Sequence, residues 1–303
     1  MDEEQLKILE LVANKTITPE EGAKLLEEKK EEVVAVPYKE IITPESLKVE
    51  QRDYENEEQI DVSLELGVTN FKLKKGDENQ LYRVEYGEGE GFSHRVIFAH
   101  KELQVSNDLK KPTKFDFTSL KQFVDPTTKK CFIELNPNVK LFLKVKFGGG
   151  KADLDFSGLK VKRLRLSSGA SDTKVAFNTV NTEVLDYLKI ESGASNLNLS
   201  GLGNTNCSEM DISLGACTAT LDFSGETSMD MYTEITMRVG RLNLLIPKEL
   251  GVKIKADDRL AEMRLPDFNI REGYRVSKNI DEAKNILNLR IGSTLAQVNL
   301  SWI

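Results

Sequence analysis

Residues 164–177 read LRLSSGASDTKVAF, residues 188–200 read LKIESGASNLNLS and residues 210–223 read MDISLGACTATLDF. Each stretch places an apolar residue three positions before a glycine and further apolar residues four, six or eight positions beyond it. The same template fits Val145-Gly148-Leu154-Phe156, Leu166-Gly169-Val175-Phe177, Ile190-Gly193-Leu197-Leu199 and Ile212-Gly215-Leu221-Phe223. It also fits Met237-Gly240-Leu244-Ile246 and Leu289-Gly292-Ala296-Val298-Leu300. The first five of these glycines recur with a period in the low to middle twenties. Leu64-Gly67-Phe71-Leu73 opens the series, and Ile254-Asp257-Ala261-Met263-Leu265 repeats it with aspartate in the glycine position.

Alternating apolar residues indicate strands, and a recurrence of that length is too long for a hexapeptide helix and lacks the helical half of a leucine-rich repeat. The pattern therefore predicts a mainly β fold over 60–303, a single-stranded β-solenoid or β-helix with one repeat per turn. Turns stacked at about 4.8 Å would align Val145, Leu166, Ile190 and Ile212 as one internal column. Gly67, Gly148, Gly169, Gly193, Gly215, Gly240 and Gly292 are read as its corners, where glycine tolerates positive φ and aspartate can stand in at 257. Between Gly76 and Pro137 no corner template is recognisable.

Residues 1–34 follow a helical spacing instead. Leu6, Leu9 and Ala13 fall on one face, with Ile8, Leu11 and Val12 widening the stripe, and Thr18-Pro19-Glu20-Glu21 supplies a cap, a first-turn proline and a capping-box glutamate. A short helical hairpin is expected over 1–34, with Leu25 and Leu26 on its second helix and too little mass to bury all five apolar side chains. Those five residues, Leu6, Leu9, Val12, Leu25 and Leu26, are the candidate contact to a protein partner or to a second copy. Residues 35–59 hold two prolines and many acids, which reads as a charged linker.

Residues 1–60 carry 8 basic against 17 acidic side chains, and the rest of the chain 34 against 32, so the surplus of acid belongs to the N-terminal segment. That balance offers no clustered bases for nucleic acid or an anionic membrane. No apolar run reaches the roughly 18 residues of a membrane-spanning helix, and MDEEQLKILE lacks the basic start of a secretory signal, so a cytoplasmic location is expected. Cys131, Cys207 and Cys217 have no metal-site spacing and are read as buried thiols.

Four places invite a chemical reading. His94 and His100 lack an acid or thiol cluster and are read as ordinary surface histidines. Asp153, Asp155, Asp172 and Asp222 form no common row; only Asp155 and Asp222 share an offset from their glycines, about three turns or 14 Å apart, too far for paired glycosidase carboxylates. Gly148-Gly149-Gly150-Lys151 is similar to a phosphate loop but has Val145 and Ala152 where a glycine and a hydroxyl residue belong. The two Ser-Gly-Ala-Ser corners, 168–171 and 192–195, could form an anion nest, but small residues are also what close stacking requires. No catalytic residue, metal or cofactor is expected.

The opening EEQLKILELVANKTITPEEGAKLLEE resembles the short helical module at the head of YvlB-like and LiaX-like proteins of Gram-positive bacteria, and the SGAS-cornered body resembles their "putative adhesin" β-solenoid. The stretch from GRLNLLIPKELGVKIKA to QVNLSWI is similar to the C-terminal domain of LiaF-like envelope-stress proteins. The resemblance implies a role in sensing or regulating envelope stress through protein contacts and carries over no catalytic residue. Three readings follow: a non-enzymatic interaction scaffold, a bactofilin-like polymer joined through solenoid ends, and an enzyme acting on a polysaccharide.

Overall fold

In strand β8 (Lys140–Asp155) Leu141, Leu143, Val145 and Phe147 are buried at every second position, and beyond Gly150 and Lys151 the burial resumes out of phase at Ala152 and Leu154. The strand thus turns a corner without ending, so that one continuous segment supplies two walls. Strands β9 (Lys160–Ala176), β10 (Tyr187–Ser200), β11 (Glu209–Asp222), β12 (Met231–Ile246) and β17 (Ile286–Trp302) are built the same way. The computed structural model describes residues 47–87, 92–109, 130–256 and 262–303. The helical hairpin expected over 1–34, and with it Leu6, Leu9, Val12, Leu25 and Leu26, lies outside the described residues, as does the Asp257 corner.

The bent strands stack in parallel, which satisfies each strand's backbone groups from its neighbours and places like residues over like. Val145 is opposite Leu166, Leu166 opposite Ile190, and Ile190 opposite Ile212, the expected column. It continues through Ile235 on β12 to Ile291 on β17, and on the other side to Leu64 of β2 (Gln59–Val68). Full burial of each such side chain contributes about 1.5–3 kcal/mol. The bent strands are longer than the short segments the repeat suggests, because the corner bends each one without breaking its ladder.

Two register assignments need correction. Gly240 lies beside Cys217 and Gly292 beside Thr236, so neither joins the column of corner glycines. Flanking pairs place Arg238 and Thr294 at that corner on β12 and β17. A strand shifted by two residues keeps the same face inward, so alternation alone does not fix the corner. The conformational reason also changes. Of the seven glycines only Gly240 has a positive φ, 130°. Gly169 and Gly215 are small because the neighbouring turn is close: a Cβ on Gly169 would approach the Gly148 carbonyl oxygen to 2.1 Å, and one on Gly215 the Gly193 oxygen to 2.5 Å, whereas the nearest atoms to a Cβ on Gly193 and Gly148 are 3.1 and 3.4 Å away.

The order of the stack departs from the order of the chain. β2 and β3 (Asn70–Lys75) together pair with the two halves of β8, and β17 lies between β12 and the strands β13 (Gly251–Ala256) and β14 (Glu262–Arg264). The segment without a template closes the first end: β6 (Glu102–Leu109) and β7 (Lys130–Leu135) form a last parallel turn on β2 and β3. That turn is covered by antiparallel β5 (Phe92–Ala99) on β6 and β4 (Gln80–Tyr86) on β7. β1 (Lys48–Asp53) pairs with β4, so the sheet begins at Lys48 rather than at 60, and the last part of the expected linker is an edge strand. At the other end antiparallel β16 (Tyr274–Ser277) and β15 (Phe268–Arg271) cover β13. The parallel edges are thus masked at the first end and, at the other, along β13, while β14 has no further strand paired beyond it among the described residues.

Candidate interaction surface

The corner glycines leave a groove on the outside of the stack, about 1120 Å³, running from β9 to β17 past Ser167, Ser192, Ser213, Thr236 and Thr294. Its hydroxyls are largely engaged with one another. Ser168 Oγ is 2.8 Å from Ser192 Oγ, Ser192 bonds Ser195, and Ser195 Oγ is 3.2 Å from Cys217 Sγ. Thr236 donates to Ser213 at 3.2 Å. The Ser-Gly-Ala-Ser corners therefore staple one turn to the next.

Glu191 is the groove's carboxylate. Hydrogen bonds from Lys189 and Ser167 hold its carboxyl below the ordinary value, and the same contact with Glu191 raises the Lys189 ammonium. Both stay charged near neutral pH, so neither is poised as a general base or acid. The Ser192 hydroxyl bonds to other hydroxyls, and none of these would draw off its proton.

The other sequence candidates take structural places. Asp155 and Asp222 are three strands apart in register, and each accepts a backbone N–H two residues on, from Ser157 at 2.9 Å and Ser224 at 2.8 Å. Their shared offset marks a turn. Asp153 lies 3.7 Å from Lys72, and Asp172 stands beside Lys151 in the ladder. His94 is buried, contrary to the surface expectation; its Nδ1 is 3.2 Å from the Gly87 carbonyl and its ring lies against Tyr86. His100 sits in the exposed β5–β6 turn at φ 51°. The three cysteines are free and buried, and burial pushes the Cys131 thiol up to about 12 and that of Cys207 up to about 11. Among the described residues no group of three or more His, Cys, Asp or Glu could hold a metal.

Sequence reasoning missed the outward face of the first wall. Between the buried positions of β2, β8, β9, β10, β11, β12 and β17 stand exposed or half-buried charges and aromatic rings, among them Tyr232 at 57% exposure. These residues are far apart in the chain and become neighbours only once the register is known.

Residues 37–187 match the family model described as the N-terminal domain of toast_rack, DUF2154. The match takes in the segment without a corner template and stops short of the C-terminal stretch that resembles LiaF-like proteins. No curated protein matches the chain. Among solved structures, a "putative cell adhesion protein" from Clostridium sporogenes is 17% identical, covering 85% of this chain and 100% of that one, with a TM-score of 0.40. A "putative adhesin" from Bacteroides fragilis is 12% identical over 84% of this chain and 97% of its own, with a TM-score of 0.39. No helix among the described residues is long and apolar enough to cross a membrane.

Proposed function

We propose that this chain, whose residues 37–187 match the model of the toast_rack N-terminal domain, is a non-enzymatic interaction scaffold that serves cell-envelope stress sensing or regulation in a Gram-positive bacterium. The observation that carries the reading is the long parallel stack, which offers broad rigid walls while its titratable groups are spread along ladders rather than converging. Rigid faces of this kind suit recognition by area and charge. The envelope-stress assignment is supported by the sequence resemblance of the head and body described above. In this reading the N-terminal segment is an arm that binds a partner or a second copy. A bactofilin-like polymer is disfavoured, because end-to-end growth would have to displace antiparallel β4 and β5 at one end and β16 from β13 at the other.

The test is in-cell photo-crosslinking from position 232 on the first wall and position 218 on the second, with and without a cell-wall antibiotic. The reading expects a protein adduct from position 232 whose amount changes under stress. Absence of any protein adduct from either wall contradicts it, as does purified chain that cleaves a cell-wall polysaccharide.

A further inference from the structure

The outward charges of the first wall are arranged antisymmetrically about β10. On one side β8 and β9 present Lys144, Arg163 and Arg165; on the other β11 and β12 present Glu209, Asp211 and Glu234. Register places Phe142 beside Arg163, Arg163 beside Tyr187, and Glu209 beside Tyr232, with Tyr187 midway. Reading outward from Tyr187, an opposite charge and then an aromatic ring occur at equal distances on both sides.

We propose that this wall is a self-complementary surface that binds a second copy of the chain. A two-fold axis lying in the interface along β10 sets β9 over β11 and β8 over β12 of the other copy. Arg163 then faces Glu209 of the second copy, Arg165 faces Asp211, Lys144 faces Glu234, and Phe142 faces Tyr232. A two-fold axis along the stack instead lays β8 and β9 on themselves, base against base, so charge selects the first geometry. On the chosen axis Lys189 meets Lys189 and Glu191 meets Glu191 of the second copy, and only the 3.0 Å pairing of the two within each copy offsets those like contacts.

Local chemistry leaves most of these groups available, while Asp211 accepts a hydrogen bond from the Tyr187 hydroxyl at 3.2 Å and lies 3.7 Å from Lys189. Arg163 and Arg165 form no ion pair among the described residues, and the Arg163 guanidinium lies 5.6 Å from the Phe142 ring. Glu209 forms none either. The in-chain contacts of the neighbours are long and exposed, 3.7 Å for Lys144 to Glu65 and 3.8 Å for Arg290 to Glu234, geometries that hold little energy in solvent. Seven strands at about 4.8 Å give a face about 30 Å long, at the small end of specific interfaces, so the dimer forms at micromolar concentrations and loosens with salt.

This inference rests on the interaction reading and names one partner for it. The experiment is sedimentation of the full chain and of Arg163→Glu and Glu209→Arg, each checked by circular dichroism for an unchanged melt. Wild type should dimerise, and each variant should self-associate at least about ten-fold more weakly, because like charges then meet on both sides of the axis. An equimolar mixture of the two variants should recover the dimer. On one side of the axis the two exchanged side chains meet as acid and base, and on the other the native Glu209 of one variant meets the native Arg163 of the other. The doubly exchanged chain should recover it too. Variants that dimerise like wild type, or a mixture that stays monomeric, overturn the assignment. A monomeric wild type also overturns it while leaving the scaffold role intact, because adducts with a different protein in cells would still report that role.

Discussion

Asn181 and Val161 are joined by two hydrogen bonds across adjacent turns: Asn181 Nδ2 donates to the Val161 carbonyl at 2.7 Å, and the Val161 N–H donates to Asn181 Oδ1 at 3.1 Å. The same Nδ2 reaches the Thr205 carbonyl of the next turn at 3.2 Å. One side chain in the loop wall thus does for three turns what a strand does elsewhere. Asn181 is 3% exposed. Asn181→Leu fills the space but abandons three buried backbone groups, each costing about 1–3 kcal/mol, so a loss of about 3 kcal/mol or more is expected by chemical denaturation. A melt equal to wild type would mean the loop wall contributes nothing to stacking.

Gly169→Ala should be far worse than Gly193→Ala. The added methyl meets the Gly148 oxygen at 2.1 Å in the first case and the Gly169 oxygen at 3.1 Å in the second. A loss of about 2 kcal/mol or more at 169 and about 1 kcal/mol or less at 193 is expected from the steric account. Equal losses would favour a shared conformational demand over backbone approach.

Deleting residues 1–46 should leave the melt of the body nearly unchanged, whereas deleting through residue 58 should lower it by about 4–10 °C. The second deletion removes β1, the Arg52 contact to the Phe98 ring at 4.7 Å and the Tyr54 N–H bond to Asn79 at 2.9 Å. Thermal scans of the two truncations decide it; identical scans would make β1 dispensable.

The buried thiols give stability a definite pH dependence. An unfolded thiol ionises near its ordinary value of 9, whereas folded Cys131 and Cys207 stay protonated to about 12 and 11. The folded values are raised, so the stability linked to these groups is complete below pH 9 and falls as the pH rises toward 11 and 12. Denaturation midpoints from pH 8 to 11 should fall less steeply in Cys131→Ala/Cys207→Ala than in wild type. The same slope in both chains would contradict the assignment.

Much of the body is legible in the sequence because a strand's inward positions repeat at every second residue. Val145, Leu166, Ile190 and Ile212 are identifiable as one column from their spacing alone. What alternation leaves open is translation by two, and there the glycines at 240 and 292 mislead. Nor does it reveal spatial order, since every bent strand looks like an equally good neighbour for every other; nothing in β12 tells it to accept β17 rather than β13. The buried state of His94 depends on the end cap, in a segment without a repeat. The charged wall is illegible for the same reason, as Arg163 and Glu209 become two steps apart only after the register is set.

The covered edges and the seven-strand face both depend on β17 lying between β12 and β14. Asn299 stands next to Asn243 on one side and next to Arg264 on the other, whereas a stack in chain order would set Asn243 beside Arg264. Adjacent strands bring Cα atoms within disulfide reach, and the next strand out, at about 9.6 Å, is beyond the limit near 7 Å. Three double-cysteine chains, at 243 and 299, at 264 and 299, and at 243 and 264, are oxidised mildly in the folded state and mapped by mass spectrometry without reduction. Disulfides in the first two and none in the third are the expected result, and efficient bridging of 243 with 264 would contradict the stack.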